Sequence, residues 1–301
     1  WLSAVILPVL IKRWRVFALT LASNIGKGGC VMEKIAKTIK EIIKKSGNIV
    51  VLSGINVMRE TGLNGVRADH LAYETEEKYG YANEDIISSA FYARRSEIFY
   101  DYIKNVTINK EKVEPNDVHR AIRQLQQKGK ISHIITRTVY ELYESAGCED
   151  VLDIHGSIQK NKCPACGKIF DMKYIKNSPG EPVCDICKVP IRPGFLLLGE
   201  RVDNGKFSEA CDLVEAADVF LVLGSAVKDP LCQHIEKYYR GNKFILINTE
   251  EKLGDDRADY KMYGRISEIV PYITDYDPDL VFEDKEKKSD KKTVAKPVKT
   301  V

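Results

Sequence analysis

Short runs of consecutive apolar residues recur along the chain and alternate with stretches in which apolar residues follow the helical period. The apolar runs lie at 48–53, 132–136, 219–223 and 244–247, and helical patterns occur at 116–128 and 229–240. Continuous apolar runs are typical of strands that are buried on both faces of a parallel sheet. Strands that alternate with helices predict an α/β fold with a Rossmann-like, doubly wound parallel sheet, in which ligands bind at the carboxyl ends of the strands.

Two segments depart from this alternation. Residues 69–107 are rich in Tyr, Glu and Ala without the period of a strand, which predicts a helical module. Residues 159–191 hold two closely spaced pairs of cysteines and are predicted to form a second small module. The remaining segments, 32–68, 108–158 and 192–275, are predicted to make up the Rossmann-like domain.

An amphipathic helix that starts at Met32 is predicted to open this domain. Its isoleucines share one face, and Gly47 ends the pattern. We therefore expect residues 1–31 to be an extension outside the fold. The apolar runs in this extension are too short, or too interrupted by Lys and Arg, to cross a bilayer, so no membrane partner is expected.

Charge divides the chain into a middle and two ends. The whole chain of 301 residues carries a net charge of +3, of which residues 1–31 contribute +4 and residues 285–301 contribute +5, so that 32–284 carry −6. Residues 284–301 are rich in lysine and poor in apolar residues, which predicts a basic disordered tail. The acidic middle argues against a core that binds nucleic acid.

The chain contains eight cysteines, yet it is far longer than the small secreted domains that depend on disulfides. Four cysteines form two C-x-x-C pairs. The other four are scattered, and we expect them to be buried or free thiols; they are Cys30, Cys148, Cys211 and Cys232. This usage predicts a reducing, cytoplasmic location.

The paired cysteines are typical of a zinc ribbon. Cys163 and Cys166 are separated from Cys184 and Cys187 by seventeen residues, a spacing that lets two turns close around one tetrahedral ion. Four cysteine ligands leave no position for water, so the zinc is expected to be structural rather than catalytic. The alternatives are a redox-active dithiol or a chance pattern. With this assignment, the fold class is a Rossmann-like sheet with a smaller zinc-ribbon plus helical module.

Several motifs, taken in order, resemble the sirtuin family of NAD-dependent protein-lysine deacylases. The likeness runs from about Met32 to Pro271 and rests on Glu60-Thr-Gly-Leu with Arg67, His155-Gly-Ser157, the cysteine pairs, Arg192-Pro193 with Gly199-Glu200, Gly224-Ser225, and Asn248 with Glu250. The resemblance implies NAD as the cofactor and an acyl-lysine protein or peptide as the partner. It implies that Gly54, Arg67, Gly224, Ser225 and Asn248 bind the cofactor. It also implies that His155 is the catalytic general base.

The chain departs from the family pattern on the cofactor side. The family's G-A-G-x-S reads Gly54-Ile-Asn-Val-Met58, its P-D-F-R reads Asn64-Gly-Val-Arg67, and its T-Q-N-x-D reads Thr136-Arg-Thr-Val-Tyr140. In the family, small residues in the first motif let backbone amides approach the pyrophosphate. We therefore expect a sirtuin-type protein whose turnover is weakened or lost.

Three hypotheses follow from these patterns. The first is an enzyme, either a divergent deacylase or an ADP-ribosyl transferase in which Arg67 and Arg137 help to hold phosphate. The second is a pseudoenzyme that binds a peptide or an altered nucleotide. The third is a zinc-stabilised interaction scaffold.

Overall fold

The computed structural model describes residues 28–63, 69–107 and 113–280. Its central feature is a six-stranded sheet in which every neighbouring pair of strands is parallel, in the order β3-β2-β1-β6-β7-β8. The strands are β1 (Ile49–Ser53), β2 (Ile131–Thr136), β3 (Val151–Asp153), β6 (Val219–Leu223), β7 (Phe244–Asn248) and β8 (Tyr260–Tyr263); a separate antiparallel pair is formed by β4 (Asn161–Lys162) and β5 (Ile169–Phe170). The predicted Rossmann-like, doubly wound sheet is thereby confirmed.

Helices connect these strands. In chain order they are α1 (Gly28–Lys45), α2 (Ile55–Arg59), α3 (Asp69–Tyr79), α4 (Asn83–Ile86), α5 (Ser89–Arg94), α6 (Ser96–Tyr102), α7 (Asp117–Gln127), α8 (Leu142–Ser145), α9 (Met172–Asn177), α10 (Asn204–Glu215), α11 (Pro230–Ile235) and α12 (Ile266–Ile273). A π-helical turn follows α6 at Ile103–Thr107, and 3-10 turns lie at Glu236–Tyr238 and Asp255–Arg257. Within the described ranges, no helix is both long enough and apolar enough to cross a membrane.

The continuous apolar runs arise because each central strand faces two cores. In β1, Ile49 and Val51 lie in a core formed with α1, α7 and α12, whereas Val50 and Leu52 lie in a second core formed with α10 and α11. All five residues of β1, β6 and β7 are buried. Successive side chains of a strand point to opposite faces, so helices on both faces require every position to be apolar.

The strand order indicates where along the sheet a ligand is expected to bind. After β1 the chain runs to β2 and β3 on one side, and it later returns to β6 on the other side of β1. Ligands of doubly wound sheets bind at this reversal, in the crevice beyond the carboxyl ends of the two strands. Here the crevice opens beyond Ser53 and Leu223, which are paired in the sheet.

The helical and cysteine-bearing segments share a third core. Phe99, Tyr100 and Tyr102 of α6 pack in one buried cluster with Cys163 and Cys184. The two segments therefore support each other beside the sheet, although about fifty residues separate them along the chain. The division of the chain into the predicted domains stays a prediction.

The amino-terminal boundary differs from the sequence prediction. The first helix begins at Gly28, four residues before Met32, so the backbone of residues 28–31 belongs to this helix. Residues 1–27 and the predicted tail at 284–301 lie outside the described part of the chain.

Candidate functional site

Two glycines meet where β1 and β6 end. The amide of Gly54 donates to the carbonyl of Leu223 over 2.8 Å. A Cβ atom on Gly54 would lie 2.4 Å from the carbonyl oxygen of Gly224, which is closer than van der Waals contact permits, and Gly224 itself has a φ of +64°. Only glycine fits at both positions, so the predicted cofactor residues Gly54 and Gly224 form the floor of the crevice.

Asn56 crosses this crevice from the end of β1 to the end of β7. Its Nδ2 donates to Oδ1 of Asn248 over 2.9 Å, and its backbone amide donates to the carbonyl of Gly224 over 3.1 Å. Nη1 of Arg59 donates to the Oδ1 of Asn56 over 3.1 Å. The carboxamide of Asn248 is buried and also donates to the carbonyl of Ser225 over 3.4 Å. The structure thus brings Ser225 and Asn248 to the glycines, but Asn248 already has partners within the protein.

The substituted positions after β1 and β2 contact one another. Met58 and Tyr140, which replace the serine and the aspartate of the family motifs, belong to one apolar cluster together with Leu63 and Leu142. Burial raises the pKa of Tyr140 to about 12. Thr138, at the asparagine position, is buried and shares a 2.9 Å hydrogen bond between its Oγ1 and that of Thr136. The Thr138 hydroxyl therefore has a partner within the protein, and Met58 and Tyr140 pack against apolar neighbours.

Arg137 is held by an acidic partner that the sequence did not single out. Its Nη1 lies 2.7 Å from Oδ2 of Asp229, and its backbone amide donates to the carbonyl of Ser53 over 3.2 Å. Asp229 also caps α11, because its Oδ1 accepts from the amide of Leu231 over 3.2 Å. Arg67, the other arginine of the enzyme hypothesis, lies outside the described residues.

His155 lies in the turn after β3, beside Arg137. Its carbonyl accepts from the amide of Leu196 over 2.8 Å, which joins the turn to the segment that follows the cysteine module. Burial, and then the positive charge of Arg137, lower the pKa of His155 to about 4. The imidazole is therefore neutral near pH 7 and has a lone pair with which to accept a proton.

Two cavities share a wall made by His155, Phe195 and Leu196. One is a mostly apolar pocket of about 200 Å³, which is also lined by Ile55, Met58, Arg137, Thr138 and Tyr140. The other is an open groove of about 640 Å³, which runs along the turn after β3 and the segment 192–206. A molecule in the groove therefore lies against the same histidine as a molecule in the pocket.

The four paired cysteines converge on one point. Their sulfur atoms all lie within 4.8 Å of one another, and Sγ of Cys166 lies 3.8 Å from Sγ of Cys184. Thiolates at about 2.3 Å from a shared tetrahedral ion would be separated by about 3.8 Å. The pairs sit on matching turns, in which Gly167 and Lys188 have positive φ and donate to the carbonyls of Cys163 and Cys184. This cluster fits structural zinc, as predicted.

An acidic cluster near β3 escaped the sequence interpretation. Carboxylate oxygens of Glu141, Glu144 and Asp153 lie within 4.8 Å of one another, and Nζ of Lys160 lies 3.2 Å from Glu141 and 3.1 Å from Asp153. Burial and the charge of Asp153 raise the pKa of Glu144 to about 7. No spacing rule links these residues, because Glu141 and Glu144 lie at the start of α8 and within it, whereas Asp153 is the last residue of β3.

Comparison with known proteins gives a consistent result. The model of the Sir2 family matches residues 53–229. The NAD-dependent protein deacetylase of Clostridium tetani is 32% identical over 240 residues, which cover 79% of this chain and 97% of that protein. NAD-dependent protein deacylase 1 of Archaeoglobus fulgidus is 30% identical over 240 residues, with coverage of 79% and 94%.

Solved structures show the same likeness. A Sir2 enzyme structure superposes with a TM-score of 0.67 at 28% identity and covers 81% of this chain and 98% of its own. A complex of a Sir2 homolog with NAD superposes with a TM-score of 0.70 at 27% identity, with coverage of 79% and 92%. The matched region includes the glycine crevice, His155 and the cysteine cluster, and the chain therefore belongs to the Sir2 family, the sirtuins.

Proposed function

We propose that this chain recognises acyl-lysine in a protein or peptide and that its NAD-dependent deacylation is weakened or lost. The observation that carries this proposal is the hydrogen bond from Asn56 to Asn248 across the glycine crevice. This hydrogen bond supports weakened cofactor binding, because the side chain of Asn56 occupies space that the glycine of the family motif leaves open. The bond also engages the carboxamide of Asn248, which the family resemblance assigns to cofactor binding.

Two further contacts in the crevice support weakened binding of NAD. Arg137 is paired with Asp229, and the Thr138 hydroxyl bonds to Thr136. A polar contact that acts mainly in the transition state contributes about 3 kcal/mol, or a factor of about a hundred in rate. Replacement of the family's asparagine and aspartate by Thr138 and Tyr140 removes two polar groups of that kind, although such losses do not simply add.

The pocket beside His155 supports retained recognition of an acyl-lysine, and the substituted residues Met58, Thr138 and Tyr140 of the cofactor motifs form part of its wall. The apolar pocket of about 200 Å³ reaches His155 and offers aliphatic and aromatic walls to an uncharged acyl group. The neutral His155 imidazole adds a polar atom on that wall. Acylation removes the charge of a lysine, so such a pocket favours acyl-lysine over free lysine.

The alternatives have less support. A divergent ADP-ribosyl transferase requires Arg137 to hold phosphate, but its guanidinium is engaged by Asp229. A scaffold without a ligand leaves the pocket beside His155 unexplained. A cytoplasmic location stays a prediction from the cysteine usage.

Calorimetric titration with NAD tests the cofactor half of the proposal, and titration with an acetyl-lysine peptide tests the recognition half. We expect the peptide to bind and NAD to bind far more weakly, with no nicotinamide released when both are present. The Asn56→Gly variant serves as the matched control, because it opens the crevice and leaves the pocket residues unchanged. Micromolar NAD affinity with nicotinamide release by the unmodified chain would contradict the proposal.

A further inference from the structure

The groove on the far side of His155 is basic, whereas residues 32–284 as a whole carry a net charge of −6. Five basic side chains and two acidic ones line it; they are Lys160, Lys162, Arg192, Arg201 and Lys206, against Glu200 and Asp203. A basic patch on a protein that is acidic as a whole gives a local region of positive electrostatic potential, which attracts anions.

Some of these charges are neutralised within the protein and others are not. Arg192 is paired with Glu200, and Lys160 is paired with Glu141 and Asp153. Lys162 and Arg201 are exposed, and neither forms an ion pair with another residue in the part of the chain that the structure describes. Both remain available to a ligand in the groove.

The groove adjoins the pocket. His155, Phe195 and Leu196 line both cavities, so a chain that lies in the groove is placed against the same histidine that lines the apolar pocket. The groove is open along its length and its volume of about 640 Å³ exceeds that of the pocket about threefold. This shape fits several residues of an extended peptide rather than one small molecule.

We propose that the groove binds the polypeptide beside the acyl-lysine and selects acidic residues there. The inference rests on the proposed recognition of acyl-lysine. Lys162 and Arg201 supply the selectivity, since each can pair with one carboxylate of the bound segment. A short acidic peptide is favoured over nucleic acid, because residues 32–284 carry a net charge of −6 as a whole, which disfavours binding of a polyanion longer than the groove.

A set of four labelled peptides tests the inference by fluorescence anisotropy without NAD. The peptides carry either acetyl-lysine or lysine at the centre, and either glutamates or lysines as flanks. We expect the acetylated peptide with acidic flanks to bind about fivefold or more tighter than the one with basic flanks, as two exposed ion pairs permit. High salt should reduce that difference, because the pairs are exposed to solvent.

Two double variants locate the effect. Lys162→Gln with Arg201→Gln should remove the preference for acidic flanks, and Lys34→Gln with Lys45→Gln should leave it unchanged. Lys34 and Lys45 are exposed on α1 and line neither cavity, so the control loses the same charge elsewhere. Zinc content is measured alongside, since Lys162 precedes Cys163, and the single Arg201→Gln variant gives the same answer without touching that region.

The peptide set separates this inference from the proposed function. Equal binding of acetylated peptides with acidic and basic flanks would overturn the groove inference and leave acyl-lysine recognition standing. Flank-dependent binding that ignores acetylation would support the groove and contradict acyl-lysine recognition. Displacement of the acidic peptide by a single-stranded oligonucleotide at lower concentration would overturn the choice of a peptide as the ligand.

Discussion

The crevice at the ends of β1 and β6 and the cluster of four cysteines illustrate two ways in which polar groups can converge. In the crevice most converging groups have partners within the protein: Asn56 bonds to Asn248, and Nη1 of Arg137 pairs with Asp229, although Nε of Arg137 has no hydrogen-bond partner among the described residues. In the cysteine cluster the sulfurs approach one another at a distance that fits ligation of a shared ion, as at the 3.8 Å between Cys166 and Cys184. Convergence therefore indicates a ligand only where the groups lack partners of their own.

This difference bears on how a divergent family member is to be interpreted. The substitutions in the crevice are coordinated, because Met58 and Tyr140 replace polar family residues and pack in the same apolar cluster. The same region keeps a cavity of about 200 Å³, and the Nε atom of Arg137 is buried without a hydrogen-bond partner among the described residues. The packing of Met58 with Tyr140 nevertheless supports the proposal that demand on cofactor chemistry has relaxed while the fold is maintained.

The largest expected effect comes from breaking the cysteine cluster. The Cys184→Ser variant should lose its bound zinc and unfold the region around α6 and β4, since Cys184 is fully buried in the core shared by the two modules. Structural zinc contributes roughly 10 kcal/mol or more to the folding of small zinc domains. Metal analysis by mass spectrometry and thermal unfolding measure the two consequences.

The matched control is Cys211→Ser, which places the same hydroxyl in a core without a cysteine cluster. It should retain one equivalent of zinc and lose about 1–3 kcal/mol, the usual cost of burying a hydroxyl among apolar groups. Well under one equivalent of zinc in the unmodified protein would show that the sulfurs converge for another reason, such as a redox-active dithiol.

An intermediate effect is expected from restoring the family residues in the crevice. The variant with Asn56→Gly, Met58→Ser, Thr138→Asn and Tyr140→Asp should gain NAD affinity. A single hydrogen bond returned to a ligand at about 1–1.5 kcal/mol corresponds to about tenfold in affinity. The same variant should lose stability, because large-to-small changes at buried apolar sites cost about 2–5 kcal/mol each.

Calorimetry and denaturant unfolding on the same sample separate these two outcomes. Asn56→Gly alone isolates the crossing hydrogen bond, and Asn56→Ala keeps a Cβ in the crevice as its control. A gain in affinity with no loss of stability would mean that the substituted residues do not depend on each other. No gain in any variant would mean that the family motifs are misaligned on this chain.

The sequence was informative wherever function and fold depend on residues that are close along the chain. The buried runs of β1, β6 and β7 follow from their apolar composition, and the cysteine turns follow from a fixed spacing of three. A helix start is less well defined, because Gly28 to Val31 carry no cap residue that marks where α1 begins. The pattern of isoleucines therefore located the helix but not its first turn.

The partners of the crevice residues could not be predicted in the same way. Asn56 and Asn248 are 192 positions apart, and Arg137 and Asp229 are 92 apart, so only the sheet order brings each pair together. A sequence shows that a family glycine has become asparagine, but it does not show what the new side chain contacts. For that reason the loss of family residues was predicted, whereas their replacement by internal partners was not.

The smallest expected effect tests whether the crevice and the retained histidine influence each other. Arg137 lowers the pKa of His155, after the larger effect of burial, and Asp229 acts in the opposite direction. The Arg137→Gln variant removes the first charge and exposes the second, so the pKa of His155 should rise from about 4 toward 6.5, the value of a histidine in an unfolded chain. Arg137→Lys keeps the charge and should shift the pKa much less. Titration of the imidazole Cε1 proton by NMR reports each value.

The Arg137→Gln variant should also change how the stability of the protein depends on pH. Because His155 binds a proton more weakly in the folded state than in the unfolded chain, its contribution to stability is full above about pH 6.5 and is lost as the pH falls toward 4. In the Arg137→Gln variant the folded-state pKa of His155 is closer to 6.5, so the pH range over which this stability is lost becomes narrower. The loss of stability in acid that is due to His155 should therefore be smaller. If the pKa of His155 is the same in the Arg137→Gln and Arg137→Lys variants, the charge at position 137 in the crevice has no electrostatic effect on His155. In that case the crevice could have changed without any effect on the base, and the neutrality of His155 would be due to burial alone.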